Sequence, residues 1–190
     1  MRRLLPHPAE SIGVREAYDV TRPKPSNRPW VGLCMVASID GSTVVYHRSA
    51  ALSSPTDTEV LLTLRELADL IIVGASTVRI EGYGPPRKPG QRVGVVSRTG
   101  DLDLTSPLFT SGAGFLIVPE AAPPRDVPTF RSGRDELDLV GALEQIDANY
   151  VQAEGGPTLN AALAVADLLD EIDLTISPQL AGGSGPRLTT

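Results

Sequence analysis

Two short stretches carry the residue types from which an anion site is built. "VGAST" (73–77) reads as the end of an apolar strand, a glycine and a helix start. Gly74 lets a ligand approach the backbone, and Ser76 and Thr77 add hydroxyls beside the free N–H groups of a helix N-terminus. "EGGPTLN" (154–160) repeats the device with two glycines ahead of a Pro-started helix. The alternatives are an ordinary capped helix at the first stretch and a tight turn at the second. Adjacent glycines raise the chain entropy of the unfolded state, so a close ligand contact explains Gly155 and Gly156 better than a turn does. Glu154 reads either as a site carboxylate or as an acidic residue near a positive helix end.

Three further groups have chemistry to offer. "SIDGS" (38–42) places the Ser38 hydroxyl and the Asp40 carboxylate at a strand end, where an Asp-Gly turn that bonds its own backbone is the competing reading. Asp57 falls in the first turn of a helix, where the dipole stabilises a carboxylate whatever its role. If that helix lines a pocket, Asp57 can instead pair the adjacent N–H and amino donors of a pterin or pyrimidine ring. In "SRTG" (97–100), Arg98 beside the Ser97 hydroxyl can hold a ribose 2′-phosphate, the group that separates NADPH from NADH, or it is a solvated loop residue. Cys34 lies inside an apolar strand and reads as core packing.

These groups need a scaffold, and the pattern of the chain supplies one. Apolar runs without helical spacing at 30–38, 69–74, 92–97, 114–118, 150–156 and 171–178 read as buried strands. A short partner of the first strand is expected at "VVY" (44–46). Between them lie amphipathic segments. At 53–68, Ser54 is placed to cap, Pro55 to start, and Leu61, Leu64, Leu67 and Ala68 to form one face. Helices are also expected from "ASTVRIEG", over 135–146 and over 157–169. The alternation predicts an α/β protein of three layers, a mainly parallel central sheet with helices on both faces. In such sheets ligands bind at the carboxyl ends of the strands, where the groups above fall. Residues 1–27 are Pro-rich and read as an arm packed along the surface, with one domain over 28–190.

Composition narrows the classes. A net charge of -6 argues against a general nucleic-acid or anionic-membrane binder. One cysteine and two distant histidines, His7 and His47, argue against a metal site, so none is expected. The start lacks the apolar run of a signal peptide and no segment is long enough to span a membrane, so a cytoplasmic protein is the expectation. The scarcity of histidine also argues against a Ser–His–Asp triad.

Taken in order, "RPWVGLCMVASIDGS" (28–42), "LRELADLIIVGASTVRIEG" (64–82) and "AEGGPTLNAALAVADLLDEIDLTISPQLAGG" (153–183) resemble the reductase domain of bacterial riboflavin biosynthesis, which has the dihydrofolate reductase fold. The third motif is the most specific. The resemblance implies NADPH as hydride donor and a homodimer. It implies that Gly74, Ser76, Thr77 and Val78 line the pyrophosphate and nicotinamide region, and that Glu154, Gly155, Gly156, Thr158, Leu159 and Asn160 form the other wall. Ser97 and Arg98 would then lie near the adenosine ribose, Ala37, Ser38 and Asp40 near the nicotinamide and substrate, and Asp57 on the substrate ring. Asp57 is the expected catalytic residue, with Asp40 second.

Two departures bear on the substrate. Such reductases usually carry a Lys where this chain has Cys34, and an acidic "DDP" or "DNP" run where it reads "IEGYGPP" (80–86). The reading is therefore NADPH-dependent reduction of a small pterin- or dihydrofolate-like heterocycle. The alternatives are 5-amino-6-(5-phosphoribosylamino)uracil reduction and a non-catalytic NADPH-binding protein. Relatives often carry a preceding deaminase domain and continue through a closing pair of strands. Here 27 residues precede the first motif and the chain ends on "GGSGPRLTT", so C-terminal strands are expected to be missing.

Overall fold

The computed structural model describes residues 1–189. Seven strands form one sheet: β1 (Trp30–Ser38), β2 (Leu70–Gly74), β3 (Arg92–Val96), β4 (Gly114–Val118), β5 (Thr129–Arg131), β6 (Tyr150–Ala153) and β7 (Glu171–Ser177). Their order is β5-β4-β3-β2-β6-β1-β7 and every pairing is parallel. Because the inner strands β2, β3, β4 and β6 are covered on both faces, they read as continuous apolar runs, whereas the edge strand β7 alternates and leaves Ile172, Leu174 and Ile176 exposed. β4 is buried along its whole length.

Two helical layers cover the sheet. On one face α5 (Leu139–Glu144) and α6 (Pro157–Val165) pack Ala142, Leu143, Leu159 and Leu163 against Val31, Leu33, Ile72, Phe115 and Val151. On the other, α3 (Ala75–Glu81) and α4 (Pro107–Thr110) cover Ile71, Val73, Val93 and Val95. Beside them α2 (Pro55–Leu67) sets Val60 and Leu64 over Cys34. Ser54 caps α2 by accepting from the Asp57 N–H at 3.1 Å, with Pro55 in the first turn.

Local differences from the sequence expectation have identifiable causes. "VVY" forms no strand; Val45 bridges Arg48 across a turn whose two central residues, Tyr46 and His47, have positive φ. The segment expected as a helix over 135–146 is helical only at Leu139–Glu144, because Asp138 caps there by accepting from the Gly141 N–H. The first 27 residues include α1 (Val14–Tyr18), which packs its Val14 and Tyr18 against α2.

The arm is laced to the edge strand. Arg22 forks onto Glu171 at 2.6 and 2.7 Å and lies 4.5 Å over the Tyr150 ring. Arg28 forks onto Asp170, and the Trp30 indole N–H donates to Glu171. Asp173, next on that side of β7, has one buried carboxylate oxygen without a partner. Burial first, then the neighbouring Glu171 charge, pushes its carboxyl up to about 7, against a smaller opposing pull from Arg22. Above its unfolded pKa of 3.8 and below about 7, the native state therefore holds a proton that the unfolded chain has released. Stability falls as pH rises through that window. Unfolding followed at pH 5 and pH 8 should show a smaller loss for Asp173→Asn than for the wild type; an equal loss in both would remove Asp173 as the source.

Candidate active site

The carboxyl ends of β1, β2 and β6 open into one cleft of about 1050 Å3. Its walls come from α2 (Asp57, Leu61, Arg65), from the starts of α3 (Ser76, Thr77) and α6 (Gly156, Thr158), and from the loop after α3 (Tyr83, Arg87, Lys88). Cys34, Met35 and Val36 of β1 reach it from the floor.

The two glycine junctions meet. The Gly74 N–H donates to the Gly155 carbonyl at 2.6 Å. A Cβ on Gly74 would lie 3.2 Å from the Gly156 nitrogen, and one on Gly156 would lie 2.7 Å from Thr77 Oγ1. The Gly155–Gly156 peptide is cis. With no side chain at either position, the starts of α3 and α6 come together, and Ser76, Thr77, Gly156 and Thr158 bring backbone N–H groups and hydroxyls to the same cleft. That is the donor set an anionic pyrophosphate requires, so these residues fit a dinucleotide.

Other expected cofactor residues sit farther out. Val78 and Leu159 are buried in the cores on opposite faces of the sheet. Asn160 is fully buried; its amide donates to the Leu188 carbonyl at 2.8 Å, and its Oδ1 has no partner. Ser97 accepts from the Thr99 and Gly100 N–H groups in the turn after β3, with Arg98 exposed beside it, and neither lines the cleft. Ala37 and Ser38 are buried at the end of β1. The Ser38 hydroxyl donates to Asp40 at 2.6 Å. Asp40 also accepts from the Ala181 and Gly182 N–H groups, which ties its loop to the segment after β7. The Ser38 hydroxyl, followed by those two backbone donors, holds the Asp40 carboxyl well below the usual carboxylate range.

Asp57 lies on the cleft wall. Its Oδ2 accepts from the Ser53 hydroxyl at 2.6 Å. Cys34 is both core and cleft lining; burial first, then the Glu154 charge, raises its thiol far above the ordinary range, so it stays protonated.

Glu154 is the most heavily bonded side chain of the site. Arg65 forks onto it through Nε at 2.7 Å and Nη2 at 2.6 Å, the Tyr83 hydroxyl donates at 2.6 Å, and the Gln152 amide donates at 3.0 Å. Burial first, then the Glu154 charge, raises the Tyr83 hydroxyl, so it remains a donor. Lys88 and Gln91 pin the loop after α3 to the free carbonyls at the end of α2, both reaching Ala68. Sequence reasoning singled out neither Arg65, Gln152, Lys88 nor Arg87. The one available signal was helical spacing, since Asp57, Leu61 and Arg65 stand at i, i+4 and i+8 on α2.

A parallel sheet with helices on both faces, opening its strand ends onto paired glycine junctions, is an α/β fold of the dihydrofolate reductase-like class. Dihydrofolate reductase from Enterococcus faecalis, in a complex with NADP(H), superposes with a TM-score of 0.54 at 12% identity, over 85% of this chain and 77% of that one. The chain belongs to the RibD C-terminal domain family, which matches residues 29–190. A 2,5-diamino-6-ribosylamino-4(3H)-pyrimidinone 5′-phosphate reductase from Methanothermobacter thermautotrophicus is 29% identical over 178 residues, 84% of this chain and 82% of that protein. The riboflavin biosynthesis reductase of Saccharomyces cerevisiae shares the fold with a TM-score of 0.70 at 19% identity, over 88% of this chain and 81% of that one. The protein is thus an oxidoreductase of the reductase type. Among the described residues no helix is long and apolar enough to cross a membrane.

Proposed function

We propose that this protein uses NADPH to reduce a ribosylamino-pyrimidinone 5′-phosphate to its ribitylamino form. This follows the phosphoribosyl alternative of the sequence reading, with a pyrimidinone in place of the uracil named there, and the activity named for the Methanothermobacter relative favours it over a pterin. The observation that carries it is one cleft lined by Ser76, Thr77, Gly156 and Thr158 of the paired junctions together with Asp57 and Arg87. Arg87 is exposed at the rim and has no ion pair among the described residues, so it answers the phosphate that a pterin lacks.

NADPH, when bound, supplies a hydride. Ser76, Thr77, Gly156 and Thr158 would hold its pyrophosphate through backbone N–H groups and hydroxyls, with Gly74 and Gly155 joining the two junctions through their mutual backbone bond and Glu154 fixing the second one. Ser97 and Arg98 would take the ribose phosphate, Ala37 and Ser38 would border the nicotinamide, and Val78, Leu159 and Asn160 would support the two helix starts from behind. On the substrate, the C1′–O4′ bond opens as a proton passes from the exocyclic nitrogen to O4′, leaving a C1′=N imine. Hydride addition at C1′ and protonation at nitrogen then give the secondary amine, a net uptake of one hydride and one proton. Asp57 orients the ring and relays that proton, and the Ser53 hydroxyl fixes its orientation. Asp40 ties the loop after β1 to the segment after β7. Two copies would pair through the exposed apolar row Ile172, Leu174 and Ile176 of β7.

The test is NADPH oxidation with the ribosylamino-pyrimidinone phosphate, with dihydrofolate, and with neither. Turnover on the pyrimidinone alone is expected. Turnover on dihydrofolate alone would return the assignment to a pterin, and NADPH binding without turnover on either would make this a binding protein. Within the same assay, Arg87→Gln should raise KM for the phosphorylated substrate by ~10-fold or more and leave its dephosphorylated form unaffected, as expected for one charge-assisted contact. Equal changes on both substrates would exclude a phosphate contact.

A further inference from the structure

The cleft floor carries a thioether at its glycine junction. Met35, near the end of β1, lines the cleft and is half-buried, whereas Leu33 and Ala37, on the same side of the strand, are buried. Gly155 has a φ of +77°, and a Cβ built on it would lie 2.9 Å from Met35 Sδ and 3.3 Å from its Cε. The thioether therefore stands where a side chain at position 155 would stand. The Gly155 carbonyl is also the acceptor of the Gly74 N–H, the bond that joins the two junctions. A change in the size or polarity of this sulfur is thus felt at the place where the starts of α3 and α6 meet.

Thioether chemistry says what that change is. A half-buried sulfur on an open cleft is within reach of a small oxidant. With hydrogen peroxide, a sulfur lone pair bonds to one peroxide oxygen, the O–O bond breaks and water leaves, so the sulfur is oxidised to the sulfoxide and the peroxide is reduced. A soft apolar group becomes a polar one that only accepts hydrogen bonds. On the buried side its neighbour is another acceptor. Asn160 Oδ1 lies 3.5 Å from the same Cβ position at Gly155 and already has no partner. On the open side the donors are the N–H groups and hydroxyls of Ser76, Thr77, Gly156 and Thr158. A sulfoxide oxygen that takes one of them removes it from a pyrophosphate. One that takes none sets a partial negative charge beside an anion. Both weaken dinucleotide binding.

We propose that Met35 is a modification site, oxidised by hydrogen peroxide when the cleft is empty, and that its sulfoxide weakens NADPH binding at the joined glycine junctions. Bound NADPH covers the sulfur, so the cofactor protects its own site. This rests on the NADPH reading of the cleft given above.

The chain has few sulfurs to tell apart: Met1, exposed in the arm, Met35 and Cys34. The experiment treats the full chain with hydrogen peroxide, with and without saturating NADPH, and then removes both. Peptide mass mapping reads oxygen at each sulfur, and fluorescence titration reads NADPH affinity. Without NADPH, Met35 should gain one oxygen and affinity should fall ~10-fold or more, the size of one charge-assisted hydrogen bond, with the far-UV circular dichroism unchanged. Wild type treated under NADPH should keep both Met35 and its affinity, although Met1 is oxidised in each sample. Met35→Leu should keep its affinity through the treatment. Met35→Gln, which carries an acceptor oxygen to about the same place, should bind weakly without any oxidant. The NADPH-shielded wild type involves no substitution, so it keeps the test available if a variant folds poorly. An unoxidised Met35, oxidation that NADPH does not slow, an equal loss in treated Met35→Leu, or a loss of affinity seen only with a loss of the dichroism signal overturns the proposal. Untreated protein that does not bind NADPH removes the NADPH reading and takes this inference with it. Untreated protein that binds, and binds equally after Met35 is oxidised, removes this inference alone.

Discussion

Asp57→Asn is expected to lower kcat by ~10²–10⁴-fold, the range for loss of a positioned general acid or base, while NADPH affinity stays within a factor of about two. The asparagine keeps the volume of the side chain and can still accept from the Ser53 hydroxyl. It keeps the helix as well, because the Ser54 cap bonds the backbone N–H of residue 57 and not its carboxylate. What it loses is the ability to take and return a proton and to pair, as an anion, with adjacent ring donors. The cofactor junctions at Gly74–Thr77 and Gly155–Thr158 lie on other elements, so their donors are untouched. Steady-state kinetics paired with fluorescence titration of NADPH checks both halves. A kcat within threefold of the wild type would sink the proton-relay role, and weakened NADPH binding would place Asp57 against the cofactor instead.

The part of this site written into contiguous sequence was legible, and the part assembled across the chain was not. Ser54, Pro55 and Asp57 announce a helix start because capping is a local event within four residues, and the cap forms as read. The two glycine junctions are local too, and the sheet order brings them into contact through β2 and β6. By contrast, the Arg65–Glu154 and Tyr83–Glu154 bonds join residues 89 and 71 positions apart. No spacing rule reaches that far, so Glu154 showed itself as a carboxylate while its partners did not. Short elements were missed for a related reason. β5 has three residues and α1 has five, too few to display a period, and both are held by long-range contacts. Arg87 went unread because a Pro- and Gly-rich loop has no period at all. Only the anchoring of that loop by Lys88 and Gln91 puts Arg87 at the cleft rim.

The second large effect concerns folding, and it separates the two jobs of Glu154. Glu154→Ala should destabilise the protein by ~3–5 kcal/mol, the range for breaking one half of a buried ion pair. The loss has two parts. Arg65, 29% exposed, keeps a charge with reduced access to water and no counterion, and the Tyr83 hydroxyl and the Gln152 amide lose their acceptor. For a chain of this size that corresponds to a fall in Tm on the order of 10 °C. Arg65→Met/Glu154→Met should recover the part due to the orphaned charge, since two apolar side chains of similar volume leave none behind, but not the part due to the Tyr83 hydroxyl and the Gln152 amide, which still lack their acceptor. Denaturant unfolding of the three proteins makes the comparison, and a single-variant loss under about 1 kcal/mol would mean that water reaches the pair and that Glu154 is not a structural centre. NADPH affinity read on the same proteins is the second axis. Gly155 and Gly156 directly follow Glu154, so a junction held by that carboxylate should loosen in both variants and weaken the cofactor together. If the double variant instead restores stability and NADPH binding alike, the backbone bond from Gly74 to Gly155 is sufficient to set the junction, and the role of Glu154 reduces to holding Arg65.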